Sequence, residues 1–160
     1  MSWPFALLGA GCCILLGSRQ ARQAGEQAAL LEQWSGALMR MACALEAGGH
    51  SLPQLLAAGD MPFLQAGAQL LQDQPTLSPA QWLDSLPWDP HLSPAERAVL
   101  QDGLLGLFHP LPARQQQEME YAMRRFAPLV KRGRERAEKN TGLYRALGWL
   151  SGAAVFILIC

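Results

Sequence analysis

Two uncharged apolar stretches bracket this chain, and they limit what it can fold into more than any other feature. Trp3 to Gly17 reads WPFALLGAGCCILLG, and Ala146 to Cys160 reads ALGWLSGAAVFILIC, neither with a charged side chain. A small soluble domain rarely carries two such runs. Charged residues make up only 16% of the 160 residues, against roughly 25% in an average soluble domain, so part of the sequence is suited to an environment other than water. With half its residues apolar, the chain is also far from disordered composition.

The first run is short for a membrane span. Fifteen helical residues reach about 22 Å, below the roughly 30 Å hydrocarbon core, so a span over 3–17 thins the bilayer or extends into flanking groups such as Ser2 and Ser18. Three other readings compete with it: a secretory signal, although no basic group precedes Trp3; a lipoprotein signal, with Cys12 after Gly9-Ala10-Gly11; and a buried core helix. The second run, taken as 143–160, has Tyr144 and Arg145 placed for the interface, Arg145 snorkelling to the headgroups. Lys131, Arg132, Arg134, Arg136 and Lys139 precede it, while Arg19 and Arg22 follow the first run. The positive-inside rule keeps both basic sides cytoplasmic, which predicts an N-terminal transmembrane helix at 3–17, a cytoplasmic domain at 18–142 and a C-terminal transmembrane helix at 143–160.

A net charge of zero hides a segregation. Residues 26–102 hold two basic and nine acidic groups, whereas 114–145 hold nine basic and four acidic. Basic charge gathered beside apolar ends points to a membrane surface, not to nucleic acid. Cys12, Cys13, Cys43 and Cys160 form no C-x-x-C pair, so neither a disulfide framework nor a zinc site is indicated.

The middle of the chain reads as entirely helical. Ser93-Pro94-Ala95-Glu96 and Ser78-Pro79-Ala80-Gln81 have the capping-box arrangement, with proline at the first helical position. Ser51-Leu52-Pro53-Gln54 is a looser version, and Asp60 before Met61-Pro62 is expected to cap a further helix. Gly48-Gly49, Gly59, Gln74-Pro75 and Pro87 to Pro90 separate these segments. Valine and isoleucine are scarce, which disfavours strands. Two longer helices bracket the short ones: Leu31, Trp34, Leu38, Met41 and Leu45 form one stripe, and Met119, Met123, Phe126 and Val130 another. Packing them antiparallel, with the short helices closing the far end, buries both stripes. Pro128 is expected to kink or break the last helix unless packing compensates.

Catalytic constellations are missing from this reading. His50, His91 and His109 fall in predicted turns, without the spacing that sets two imidazoles on one helical face. No phosphate-binding loop occurs, and Ser35 lies mid-helix and not on a nucleophile elbow. The acidic residues Glu46, Asp60, Asp73, Asp84, Asp89, Glu96 and Asp102 read as a solvated face. The chain is read as a non-enzyme with no cofactor, no metal and no small-molecule or nucleic-acid partner.

Glu138-Lys139-Asn140-Thr141-Gly142-Leu143-Tyr144-Arg145-Ala146-Leu147-Gly148, followed by an apolar tail with Gly152, resembles the juxtamembrane signature of the stage III sporulation protein AB family. Gly48, Leu52, Pro53 and Leu56 are similar to that family's glycine and proline-leucine-proline segment, and Arg114 and Gln117 to its segment before the last helix. The likeness spans the whole chain. Ala113 stands where the family has an acid before the arginine, Pro110 and Pro112 alter that turn, and Ala44 replaces a usual acid.

The resemblance implies a small helical bundle similar to the cytoplasmic domains of type II secretion F-type platform proteins, carried by the two transmembrane helices. It implies a structural component of the secretion-like channel assembled between mother cell and forespore, needed for endospore formation. Its partners would be other membrane subunits of that channel, a cytosolic secretion-type ATPase and membrane lipid. It would reside in the mother-cell membrane facing the forespore. Gly148 and Gly152 form a Gly-x-x-x-Gly pair suited to helix packing within the bilayer. A lipid-anchored or processed helical binding module of the cell envelope is the alternative that Cys12 keeps open.

Overall fold

In the computed structural model, the backbone of residues 3–159 is described, together with the side chains of Arg22, residues 25–139 and Gly142. Six helices follow in order: α1 (Trp3–Ala47), α2 (Leu52–Ala58), α3 (Pro62–Asp73), α4 (Pro79–Ser85), α5 (Pro94–Gly106) and α6 (Pro112–Ile159). No strand occurs among the described residues. The chain forms two compact units, one of Met1–Ala29 with Lys131–Cys160 and the other of Leu30–Val130.

Within the Leu30–Val130 unit, both sequence-derived stripes are buried in one core. Leu31, Trp34, Leu38 and Met41 come from α1, Met119 and Phe126 from α6, and all are at most 1% exposed. Leu45, Met123 and Val130 pack more loosely against the same cluster. The short helices supply Leu56, Leu64, Trp82, Leu100 and Leu104. Burying an aromatic side chain such as Trp34 or Phe126 removes about 150–250 Å² from water, an upper bound of roughly 4–6 kcal/mol each. The ion pair between Arg125 and Asp102, at 2.9 Å but with both side chains largely exposed, is worth at most about 1 kcal/mol. Apolar burial therefore dominates this fold.

The ends of the helices follow local chemistry. α1 stops where Gly48 and Gly49 take φ of 72° and 75°, a left-handed backbone that other residues adopt only at a steric cost. Ser78 and Ser93 each accept a hydrogen bond from the backbone N–H three residues on, at 3.3 Å, while Gln81 and Glu96 reach back to the N–H of the capping serine. At α2 the reciprocal arm is the closed one, with Ser51 N–H donating to Gln54 Oε1 at 2.9 Å.

Two sequence expectations change in detail, and that for Pro128 is settled by packing. Met61, not Asp60, is the N-cap of α3. Met61 is 7% exposed and belongs to the core, so burial fixes the helix start and pushes Asp60 into the left-handed region at φ 51°. Glu96 is not on the solvated face: its part in the capping box of α5 leaves it 6% exposed. α6 runs unbroken through Pro128, because a helix this long loses a single hydrogen bond there and is held on the core by Phe126 on one side of the proline and Val130 on the other.

The connection from α5 to α6 is closed by polar and steric contacts together. Gln115 Nε2 donates to the carbonyls of Leu107 at 2.8 Å and His109 at 2.7 Å, satisfying acceptors past the end of α5. On the facing surfaces, a Cβ placed on Gly103 would lie 2.7 Å from Ala122 Cβ, and one on Gly106 would lie 2.5 Å from Glu118 Cβ. Glycine at those two positions lets α5 approach α6 closely.

The backbones of both apolar ends are helical, as the first part of α1 and the last part of α6. Their side chains lie outside the described residues, and so do the predicted spans 3–17 and 143–160 as apolar surfaces and the lipidation reading of Cys12. Among the described residues, no helix is long and apolar enough to cross a membrane.

Candidate docking surface

Trp34, Phe63 and Trp88 come from three separate parts of the Leu30–Val130 unit and meet, Trp34 buried and Phe63 and Trp88 half-exposed above it. Trp34 lies on the buried stripe of α1, Phe63 follows Pro62 in the first turn of α3, and Trp88 lies between α4 and α5 in the Pro87–Pro90 connection. Phe63 meets the edge of Trp34 at 5.1 Å between ring centroids, Trp88 packs against Phe63 at 4.8 Å, and the two indoles are nearly parallel at 6.3 Å. Such pairs contribute beyond their area, about 0.5–1.5 kcal/mol each. Trp88 is oriented by its own N–H, which donates to the Leu83 carbonyl at 3.0 Å. The Arg97 guanidinium lies over the Trp88 ring, 5.0 Å from its centroid.

Together with Leu30, Gln33, Met61, Pro62, Pro87, Asp89 and Pro90, these rings line a half-open cavity of about 380 Å³. The lining is chiefly apolar, stiffened by three prolines, with Gln33 and Asp89 as its polar members. Such a surface can hold an apolar side chain from a protein partner. Sequence reasoning did not find it. Spacing places Trp34 on the core stripe, and nothing in the spacing of Phe63 and Trp88 announces that they share a site.

The residues singled out from the sequence fall in three places. Gly48 lies in the left-handed turn after α1, Leu52 is the first residue of α2 and packs partly on the core, and Pro53 follows, half-buried. Arg114 and Gln117 are exposed, one helical turn apart at the start of α6. Glu138 and Lys139 belong to the other unit, both exposed, with Glu138 paired to Arg134 at 3.2 Å. The side chains of Asn140, Tyr144, Arg145, Gly148 and Gly152 lie outside the described residues. Among the described residues, those singled out are not gathered into a single constellation.

The histidines are exposed and apart in sequence: His50 before α2, His91 beside Asp89, which accepts its backbone N–H at 2.9 Å, and His109 after α5. Among the described residues, no group of three or more His, Cys, Asp or Glu side chains could hold a metal ion.

A family model for Stage III sporulation protein AB matches residues 2–160. The chain belongs to that family. No curated protein and no solved structure matches it. Membership assigns a role in the third stage of sporulation, and the all-helical fold agrees with the bundle that the resemblance implied.

Proposed function

We propose that this chain is a structural, non-enzymatic membrane component of the secretion-like channel that joins mother cell and forespore, and that endospore formation requires it. In this reading, 3–17 and 143–160 anchor it in the mother-cell membrane facing the forespore. Residues 18–142 project into the cytoplasm and dock a cytosolic secretion-type ATPase and other channel subunits. Gly148 and Gly152 would pack against neighbouring spans, and Gly48, Leu52, Pro53, Arg114, Gln117, Glu138, Lys139, Asn140, Tyr144 and Arg145 are the family-motif positions on which assembly rests.

The observation that carries the proposal is that each end helix combines two characters. α1 contains both the uncharged 3–17 run and the core stripe at 31–41, and α6 contains both the core residues Met119 and Phe126 and the uncharged 146–160 run. An anchor and a folded cytoplasmic unit then share their helices, as a transmitting subunit needs and a free enzyme does not. We assign the partner contact to the groove formed by the half-exposed rings of Phe63 and Trp88 over buried Trp34, whose aromatic rings and prolines resemble the anchoring centres of protein interfaces.

The tests are genetic and biochemical. Deleting the gene should abolish heat-resistant spores, and normal spore counts would end the assignment. Tagged full-length chain, extracted in mild detergent from sporulating cells, should bring down a secretion-type ATPase identified by mass spectrometry. Gln33→Trp, which fills the groove from an exposed rim position, should reduce that recovery about tenfold, and unchanged recovery would move the contact elsewhere.

A further inference from the structure

Between Lys131 and Lys139, α6 carries five basic and two acidic residues, all exposed. Arg134 is engaged with Glu138 at 3.2 Å. Lys131, Arg132, Arg136 and Lys139 have no carboxylate partner among the described residues. At 100° per residue, Arg132, Arg136 and Lys139 fall within an arc of about 60°, with Glu135 beside it and Lys131 about 80° from its edge. Gly133 and Ala137, the half-buried residues of this segment, lie outside that arc. On the α1 part of the same unit, the described charges Arg22 and Glu26 are also exposed and offset each other.

We infer that Arg132, Arg136 and Lys139 form a binding stripe for anionic phospholipid headgroups of the bilayer that receives the apolar end of α6. The inference rests on the membrane-anchored reading above and adds the lipid class and the residues that select it. Charge complementarity is the first argument, since three unpaired cations on one helical face leave an anion as the fitting occupant. Position is the second. At about 1.5 Å per residue, Lys139 lies roughly 10 Å, Arg136 15 Å and Arg132 21 Å along α6 from Ala146, the first residue of the uncharged run. With a screening length of about 8 Å in physiological salt, the attraction falls in that order. An acidic protein partner has no reason to weight the three residues by their distance from the apolar run, so the gradient separates the two occupants.

The test uses the full chain reconstituted in vesicles of equal phosphatidylcholine and phosphatidylglycerol. Spin-labelled versions of each lipid report their relative association with the protein. The unaltered chain should prefer phosphatidylglycerol several-fold, and the combined R132Q, R136Q and K139Q variant should lose most of that preference. Single variants should rank Lys139→Gln, Arg136→Gln, Arg132→Gln, the first losing up to about fivefold for a charge close to the headgroups. Glu135→Gln removes the acid beside the stripe and should raise the preference, a gain that misfolding would not produce. Preference unchanged in the triple variant overturns the inference, and so does an equal loss from every single variant or a fall with Glu135→Gln. Alkaline carbonate applied to the same vesicles keeps the two readings distinct. A chain that stays in the pellet without lipid preference refutes the stripe alone, whereas a chain washed free refutes the anchor and the stripe with it.

Discussion

Trp82 and Trp88 stand six residues apart, each with its indole N–H bonded to a backbone carbonyl, yet they serve opposite ends. Trp82 lies inside α4, fully buried, with its N–H on the Gly67 carbonyl at 2.9 Å and its ring meeting Phe108 at 5.2 Å. Trp88 follows α4 in the proline-flanked connection, half-exposed, with its N–H on Leu83 and Arg97 across its ring. The polar handle is satisfied in both, so hydrogen bonding does not separate them. What separates them is the neighbour opposite the ring: for Trp82 it is the backbone of α3 at Gly67 and the Phe108 ring, and for Trp88 it is a cation at the edge of a groove. A buried indole joins elements together, whereas a half-buried one, held equally firmly, keeps surface available for something else.

The comparison can be broken most severely at Trp82. Trp82→Ala should destabilise the Leu30–Val130 unit by about 3–5 kcal/mol, combining lost burial with the cavity left behind. For a unit of about 100 residues each kcal/mol corresponds to roughly 4–8 °C in Tm, so thermal melting of the full chain followed by circular dichroism should show a fall of well over 10 °C. A fall of only a few degrees would mean that Trp82 does not join α3 to α4.

Gly67→Ala probes the same contact from the other side. Its new Cβ would lie 2.9 Å from the Trp82 ring and 3.2 Å from Leu86, and overpacking of this kind costs about 1–3 kcal/mol. The same melts should place it between the two tryptophan substitutions. An increase in Tm would show that the ring has room to move.

Trp88→Phe keeps an aromatic ring but removes the N–H that meets Leu83, which should cost about 1 kcal/mol. Arg97→Gln should cost least, about 0.5 kcal/mol for an exposed cation over a ring. Its sharper readout is accessibility. Acrylamide quenching of the accessible part of the tryptophan emission, compared between the unaltered chain and Arg97→Gln, should rise once the guanidinium no longer covers Trp88. If quenching stays the same, Arg97 does not guard that face.

The sequence disclosed the helices and the residues that bury them, because both depend on local rules. Ser78 and Ser93 announce helix starts by hydrogen bonds that reach only three residues, and Leu31 to Met41 reveal their stripe by spacing alone. The groove was hidden for the opposite reason. Trp34, Phe63 and Trp88 meet through the packing of α1, α3 and the Pro87–Pro90 connection, and no local pattern records which turns end up side by side. Asp60 fails as a cap for the same reason, since the pull of a distant core on Met61 outweighs its capping preference. Glu96 shows the intermediate case: its capping role was legible, but not that the role would remove it from solvent.

The close approach of α5 to α6 at Gly103 and Gly106 has its own implication for how this protein can diverge. Those positions are closed to any side chain by the bulk of Ala122 and Glu118 opposite them, so a lysine and an isoleucine would be refused alike. Nearby exposed sites such as Asp102 and Arg125, whose ion pair is worth at most about 1 kcal/mol, can change polarity at little cost. Along this seam, relatives should drift in electrostatics while staying fixed in girth.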